Sequence, residues 1–158
     1  MLIGNEKWVG PFQIRAILEA SINAELPKPP ATGSAYIVTR RAWQTDPDTE
    51  SHVLYVGGNT GKPGRFRTRV GDLLADALGF FTKKTSRHPG TGHHSGGMSL
   101  HQWCKDHSVN PLDLYIAWVE GSTCHRCLEI GLYRKLSPEL CKKAPARCRQ
   151  HKRPPKRT

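Results

Sequence analysis

Two tyrosines, two arginines and a glutamate are the residues of this chain whose types and order could take part in cleaving a phosphodiester bond. Tyr36 and Tyr55 lie in β-rich runs. Arg65 and Arg69 begin a helical pattern, and Glu129 lies inside a later one. Such a cleavage needs a base for the nucleophile, cations for the charge on the phosphate and help for the leaving oxygen. A tyrosine pair can act as the base when a cation lowers the phenol pKa from about 10. Arginine can bind the non-bridging oxygens through its planar fork, and one carboxylate can hold a hydrated Mg²⁺ ion, or Mn²⁺.

Each of these residues also has a purely structural interpretation. Aromatic side chains pack routinely in strands, so Tyr36 and Tyr55 could serve only the core. Arg65 could pair with an acidic neighbour, and Glu129 could pair with Arg126, which lies three residues before it on the same helix. The residues taken one at a time leave both interpretations open.

The elements that would position these residues are visible as hydrophobic patterns and chain breaks. Turn-bounded runs predict two paired strands at residues 35–40 and 52–57, and a buried strand at residues 114–119. Helices are predicted at residues 11–25, 65–78 and 99–107, and from a cap at Ser122 or Thr123 to about Leu136. Gly79 is placed to end the second of these helices.

The chain length and these elements predict a single small α+β domain with two extensions. A chain of 158 residues can bury a modest core without disulfide or metal staples. We expect an N-terminal helical extension and linker at residues 1–30, the main domain at 31–141, and a basic, flexible tail at 142–158. The predicted fold is a three-stranded, mostly antiparallel sheet flanked by helices.

In order and spacing, these residues resemble the GIY-YIG nuclease family. Tyr36 would stand for the tyrosine of the first motif, and Tyr55-Val56-Gly57 for the second motif. Arg65 would be the family's arginine and Glu129 its metal-binding glutamate. The resemblance spans residues 34–141. It implies a GIY-YIG-like nuclease domain, and a divalent-metal-dependent endonuclease that uses a single metal ion bound by Glu129.

The chain departs from the family pattern at five positions, which are Ser34 and Ala35 in the first motif, Gly58 after the second, Arg69 and Cys141. A lysine is common at the position of Gly58, so Lys62 would have to take over its role. Arg69 stands where many members carry histidine, and we expect it to bind the flanking nucleic-acid backbone. The alternative function is therefore a relative that binds nucleic acid without cleaving it.

The net charge favours a polyanionic partner. Lys and Arg number 24 against 13 Asp and Glu, which gives a formal net charge of +11 and a pI near 9.8. Basic side chains that bind phosphates release condensed counterions, which favours association. We expect DNA as the partner, with RNA left open. Cutting both strands would require a dimer or two encounters, because one active site cuts one strand.

Membrane attachment and secretion are not expected. No apolar stretch approaches the ~18 residues of a membrane span, and residues 1–7 lack the layout of a signal peptide. The five cysteines are odd in number and scattered, which fits a reducing compartment. The sequence therefore predicts a cytoplasmic protein.

A segment rich in glycine and histidine, residues 86–97, is a second candidate for contact with nucleic acid. Its glycines would let backbone amides converge on an anion, while Arg87, His93 and His94 add charge. His93 or His94 could instead act as the base or carry a proton. A plain surface loop is the structural alternative.

The cysteines raise the question of a zinc site. Cys124 and Cys127 have the spacing of zinc ligands, with Cys141, Cys148 and His151 further along. A helix from Cys127 to Leu136 would be about 13 Å long, so the later cysteines would begin at its far end unless the chain doubled back. We therefore do not expect a structural zinc ion, and a zinc-stabilised basic interaction module is the remaining alternative.

Overall fold

One antiparallel sheet of four strands organises the chain, in the order β1-β4-β2-β3. The strands of this computed structural model are β1 (Trp8–Gln13), β2 (Ala35–Thr39), β3 (Val53–Gly58) and β4 (Tyr115–Val119). The structure describes residues 7–23, 29, 35–58, 66–80, 94–120, 124–146 and 148, and for residues 21–23 the backbone alone. The predicted α+β class is confirmed, as is the antiparallel pairing of the two tyrosine-bearing strands.

The prediction of three strands was wrong, because residues 8–13 form a fourth strand that pairs with β4. The sequence had suggested that Pro11 opens a helix, whereas helix α1 (Ile14–Asn23) begins three residues later. Since β1 lies at the edge of the sheet, Pro11 can occupy it without removing a central ladder hydrogen bond. The pairing register shifts between Val9 and Phe12, where Gly10 adopts a φ of +104°.

Three further α-helices follow among the described residues, and the sequence located all of them. They are α2 (Phe66–Ala77), α3 (Ser95–Asp106) and α4 (His125–Leu136). Gly79, with a φ of +90°, follows α2 as expected. Helix α3 begins four residues before its predicted start, and its N-cap is His94. The N-cap of α4 is Cys124 rather than Ser122 or Thr123, which lie outside the described residues. None of the helices that the structure describes is both long enough and apolar enough to span a membrane.

Helices cover both faces of the sheet. On one face, α2 and α3 pack on the strands through a cluster that includes Tyr36, Leu54, Phe66, Leu73, Leu100 and Trp118. On the other face, α4 packs through a cluster that includes Ala35, Ile37, Val56, Ala117, Leu128 and Leu132. Each large apolar side chain buried in this way stabilises the fold by about 1.5–3 kcal/mol. The end of the β2–β3 pair thus lies between α2 and α3 on one side and α4 on the other.

After α4 the chain turns and runs back beside β3. Ser137 adopts the left-handed conformation with a φ of 45°. The backbone N–H groups of Glu139 and Leu140 then donate to the carbonyl oxygens of Val53 and Leu54. The Glu139 carboxylate accepts from Trp103 Nε1 at 2.8 Å, which fastens this return segment to α3. The doubling back brings Cys148 to Cys124, which is the N-cap of α4.

Candidate active site

Tyr36 and Tyr55 lie side by side on neighbouring strands. Tyr36 is opposite Gly57 in the ladder and Tyr55 is opposite Val38, which makes the tyrosines diagonal neighbours with ring centroids 6.2 Å apart. Tyr36 is fully buried, whereas Tyr55 is partly exposed. Burial raises the pKa of each phenol above its usual value. The pKa of Tyr36 is raised further by Tyr55 and Glu129, and that of Tyr55 by Cys141 and Glu129. Both phenols therefore stay protonated at neutral pH unless a cation approaches them.

His94 is the closest polar partner of Tyr36, and the sequence did not predict this contact. Its Nε2 lies 2.8 Å from the Tyr36 hydroxyl oxygen. As the N-cap of α3, His94 accepts from the backbone N–H of Gly97 through Nδ1, at 3.3 Å. Because Nδ1 is an acceptor, the proton of the neutral ring is on Nε2, which donates to the Tyr36 oxygen.

This arrangement makes His94 a neutral donor. Burial and then the positive charge of Arg69 lower the pKa of His94 to about 4. Its backbone N–H donates to the carboxylate of Asp76 on α2, which holds the cap in place. His94 has no exposed surface, a position that does not suit the DNA contact suggested by the sequence. An N–H aimed at a phenol oxygen stabilises the phenolate more than the phenol, so His94 favours ionisation of Tyr36.

Arg69 is at the centre of the site. Its charge lowers the pKa of Tyr36, Tyr55 and His94, and opposes the rise in the pKa of Glu129. Its Nε is buried and has no hydrogen-bond partner among the residues that the structure describes. A buried, unsatisfied guanidinium N–H is costly, and an anionic ligand would satisfy it. The sequence had predicted that Arg65 binds the scissile phosphate and that Arg69 binds only the flanking nucleic-acid backbone. Arg65 lies outside the described residues.

Glu129 approaches the site from the opposite face of the sheet. It lies on α4, and its Oε2 accepts from Arg126 Nη1 at 2.9 Å. This is the ion pair that the structural interpretation predicted, and the carboxylate is also within electrostatic range of both tyrosines. Burial nevertheless raises its pKa in spite of Arg126 and Arg69. A divalent ion would stabilise such a buried carboxylate, and a single carboxylate suits Mg²⁺, which keeps several of its waters.

Consecutive glycines at the end of β3 make room for Tyr36 and Glu129. A Cβ on Gly57 would lie 2.4 Å from Cζ of Tyr36. A Cβ on Gly58 would point the other way and lie 3.0 Å from Oε2 of Glu129. The Glu129 carboxylate therefore lies close to the space that a side chain at position 58 would enter, where GIY-YIG members often carry lysine. Lys62, the suggested replacement for that lysine, lies outside the described residues.

Some of the remaining predicted residues lie near the tyrosines and Glu129, and the others lie outside the described residues. Cys141 is one of those nearby: its Sγ lies 3.4 Å from the backbone N of Val56, and burial together with Glu129 raises its pKa. Gly96, predicted to lie in a loop, is in α3, where a Cβ would lie 2.4 Å from Cζ of Tyr55. Arg87 and His93 lie outside the described residues.

The low pKa of His94 predicts a specific loss of stability in acid. Because the folded-state pKa is about 4 and the unfolded value is 6.5, the unfolded chain binds this proton first as the pH falls. The stabilisation is complete above pH 6.5 and is lost as the pH falls through about 4. His94→Asn keeps an N-cap side chain but cannot titrate. Urea unfolding at pH 7.5 and 4.5 should show wild type losing about 2 kcal/mol more than the variant. Equal losses would show that His94 is not held neutral.

Comparisons of the chain with protein-family models, with curated proteins and with solved structures find no match. The chemistry of the site is therefore inferred from its own residues.

Proposed function

We propose that the chain is a divalent-metal-dependent endonuclease of the GIY-YIG type, which hydrolyses phosphodiester bonds in DNA. The observation that supports this most is the approach of Tyr36 and Glu129 to Gly57 and Gly58, together with the charge of Arg69, which acts on both side chains. The reaction needs three groups: a base, a cation for the phosphate and a carboxylate for a metal ion. The three residues come from three different elements, β2, α2 and α4.

Arg69 is the residue best suited to bind the scissile phosphate. Its buried Nε lacks a partner among the described residues, and its charge already acts on both tyrosines and on Glu129. A guanidinium in this position can bind two phosphate oxygens in a fixed orientation. Bound there, it would stabilise the charge that develops as the phosphorus–oxygen bond breaks.

Glu129 is the proposed metal ligand. A divalent ion held by this carboxylate would supply charge neutralisation at the leaving oxygen. Arg126, which donates to Oε2, would orient the carboxylate for that task. The positive charge brought to the site would also lower the pKa of the tyrosines, whose burial otherwise keeps them protonated.

Tyr36 is the proposed base, supported by His94. The Nε2–H of His94 and the charge of Arg69 both favour the phenolate of Tyr36. The phenolate would take the proton of the attacking water, directly or through Tyr55, which is partly exposed. His94 stays neutral throughout and acts by donating its hydrogen bond.

The charge of the chain supports DNA as the partner, with RNA as the alternative substrate. The formal net charge is +11, and exposed basic residues follow the end of α4, including Lys142 and Lys143. Such charges bind phosphates without reading sequence. The cytoplasmic location and the flexible basic tail stay predictions, and the oligomeric state stays open.

The experiment that tests the function is incubation of purified protein with supercoiled plasmid and Mg²⁺, beside an EDTA control. We expect nicked or linear DNA, lost with EDTA and reduced at least about 100-fold in Tyr36→Phe, which keeps the ring but removes the base. Tyr115→Phe, in a strand of the same sheet, is the matched control and should cleave normally.

Two results would contradict the proposal. Binding without cleavage of plasmid, branched DNA or RNA would make the chain a nucleic-acid-binding relative without nuclease activity. Cleavage that survives in Tyr36→Phe and in EDTA would point to a contaminating enzyme.

A further inference from the structure

Three cysteines that take no part in the proposed active site come together at the start of α4. The sulfur atoms of Cys124, Cys127 and Cys148 all lie within 4.8 Å of one another. Cys124 and Cys148 are 3.5 Å apart. Cys124 and Cys148 are buried and Cys127 is partly buried, so the cluster is largely shielded from solvent. The cluster joins the first turn of α4 to the segment that returns after it.

The distances suit a tetrahedral metal ion better than a disulfide. Sulfurs that each lie about 2.3 Å from a tetrahedral Zn²⁺ are about 3.8 Å from one another. The separation of 3.5 Å between Cys124 and Cys148 is near this value. It is well beyond the bond length of about 2.05 Å in a disulfide, and a disulfide would leave the third thiol over.

Core packing does not account for the cluster. None of the three cysteines belongs to either of the hydrophobic clusters that cover the sheet. A soft divalent cation would hold the three sulfurs as thiolates, and the N-terminal end of a helix favours that negative charge.

The order of the cysteines along the chain is also that of a zinc site. Cys124 and Cys127 form a C-x₂-C pair, and Cys148 is followed three residues later by His151. Three cysteines and one histidine are a common structural zinc set. His151 lies outside the described residues, so its candidacy as fourth ligand rests on the sequence alone. The chain does double back to the start of α4, and it brings Cys148 rather than Cys141 there. The objection based on the length of the helix therefore does not apply.

We propose that Cys124, Cys127 and Cys148 bind a structural Zn²⁺ ion, with a fourth ligand completing the tetrahedron. Zinc is the metal that thiolate-rich, tetrahedral structural sites hold most often. The ion fastens the C-terminal segment to the first turn of α4. Cys127 is two residues before Glu129, so the first turn of α4, which binds the zinc, directly precedes the turn that carries the carboxylate of the proposed active site. The zinc site does not depend on nuclease activity.

The test is the metal content of protein purified under reducing conditions without chelators. Mass spectrometry of the dissolved metal should give about one zinc ion per chain for wild type. The content should fall close to zero in Cys124→Ser and in Cys148→Ser. Cys104→Ala is the matched control, because Cys104 is buried in the core away from the cluster and should leave the zinc in place. Wild type without zinc, or serine variants that keep it, would overturn the proposal.

A second measurement covers variants that fail to fold. Cobalt added to metal-free wild type should produce the thiolate-to-cobalt charge-transfer band and the visible bands of a tetrahedral ion, and zinc should remove both. The absence of both kinds of band would rule the site out. His151→Ala should weaken zinc binding at least about tenfold if it is the fourth ligand. Unchanged affinity would assign the fourth position to another group while leaving the three-cysteine site intact.

Discussion

Glu129→Gln is expected to abolish Mg²⁺-dependent cleavage while leaving the protein folded. The amide has the shape of the carboxylate but not its charge, so it cannot hold a divalent ion against the phosphate. Charge stabilisation by such an ion is worth several kcal/mol, and each 1.36 kcal/mol or so is a factor of ten in rate. We therefore expect a loss of at least about 100-fold in the rate of plasmid cleavage.

The same substitution should not reduce stability, and this separates a functional role from a structural one. Burial raises the pKa of Glu129, so at neutral pH the charged carboxylate opposes folding. Its replacement by a neutral amide should leave the melting temperature unchanged or raise it, as is common where function requires an unfavourable group.

Glu139→Gln is the matched control for Glu129→Gln. The Glu139 carboxylate binds Trp103 and His52 rather than the tyrosines, and these contacts lower its pKa. The Glu139 variant should cleave normally and lose some stability. If Glu129→Gln cleaved normally and was the less stable of the two, Glu129 would be a structural partner of Arg126 and the proposed metal site would be wrong.

Arg69→Met is expected to reduce cleavage at least about 100-fold, which is the usual effect of removing one donor from the transition state. Methionine fills a similar volume but has neither the charge nor the fork of N–H groups. The affinity for DNA should change little, because most of it comes from charges spread over the surface. The rate should therefore fall much more than the binding.

The pKa of His94 provides a readout of Arg69 that does not depend on activity. The charge of Arg69 is one cause of the low pKa of His94, so the pKa should rise above about 4 in Arg69→Met. An NMR titration of the His94 ring measures this directly. Arg67→Met is the matched control: Arg67 is exposed on the same helix, and its Nε donates to the carbonyl oxygen of Pro29. If the Arg69 and Arg67 variants cleave DNA equally well, Arg69 does not bind the scissile phosphate, and Arg65 is again the candidate for that role.

The double glycine after Tyr55 explains why the tyrosines and Glu129 can meet although they belong to opposite faces of the sheet. Two consecutive residues of a strand point to opposite sides. With no side chain on Gly57 or Gly58, the ring of Tyr36 and the carboxylate of Glu129 both approach the backbone closely. The glycine at position 58 therefore leaves room for the Glu129 carboxylate, which a side chain there would crowd.

The proposed zinc site and the proposed active site both use helix α4, but at different turns. Cysteines at the first turn would hold the helix start and the returning segment together, while Glu129 uses the next turn. The return segment also carries Cys141 to the active site, beside Val56. The course of the chain after residue 137 therefore matters to both sites.

Local patterns were enough to predict the tyrosine-bearing strands and helices α2 and α4. The choice of Tyr36, Tyr55 and Glu129 as site residues came from the resemblance to a known family, and their role stays a proposal. The strands and helices were predictable for a simple reason. These features depend on the period of apolar side chains and on turn residues within a few positions, which the chain displays directly. Three features depended on tertiary structure: β1 pairs with β4 more than a hundred residues away, His94 meets Tyr36 across 58 positions, and Cys148 returns to Cys124. Each is a contact whose partner is chosen by the packing of whole helices and strands. Neither residue of such a pair carries a local signal of the other, so only the folded chain could identify them.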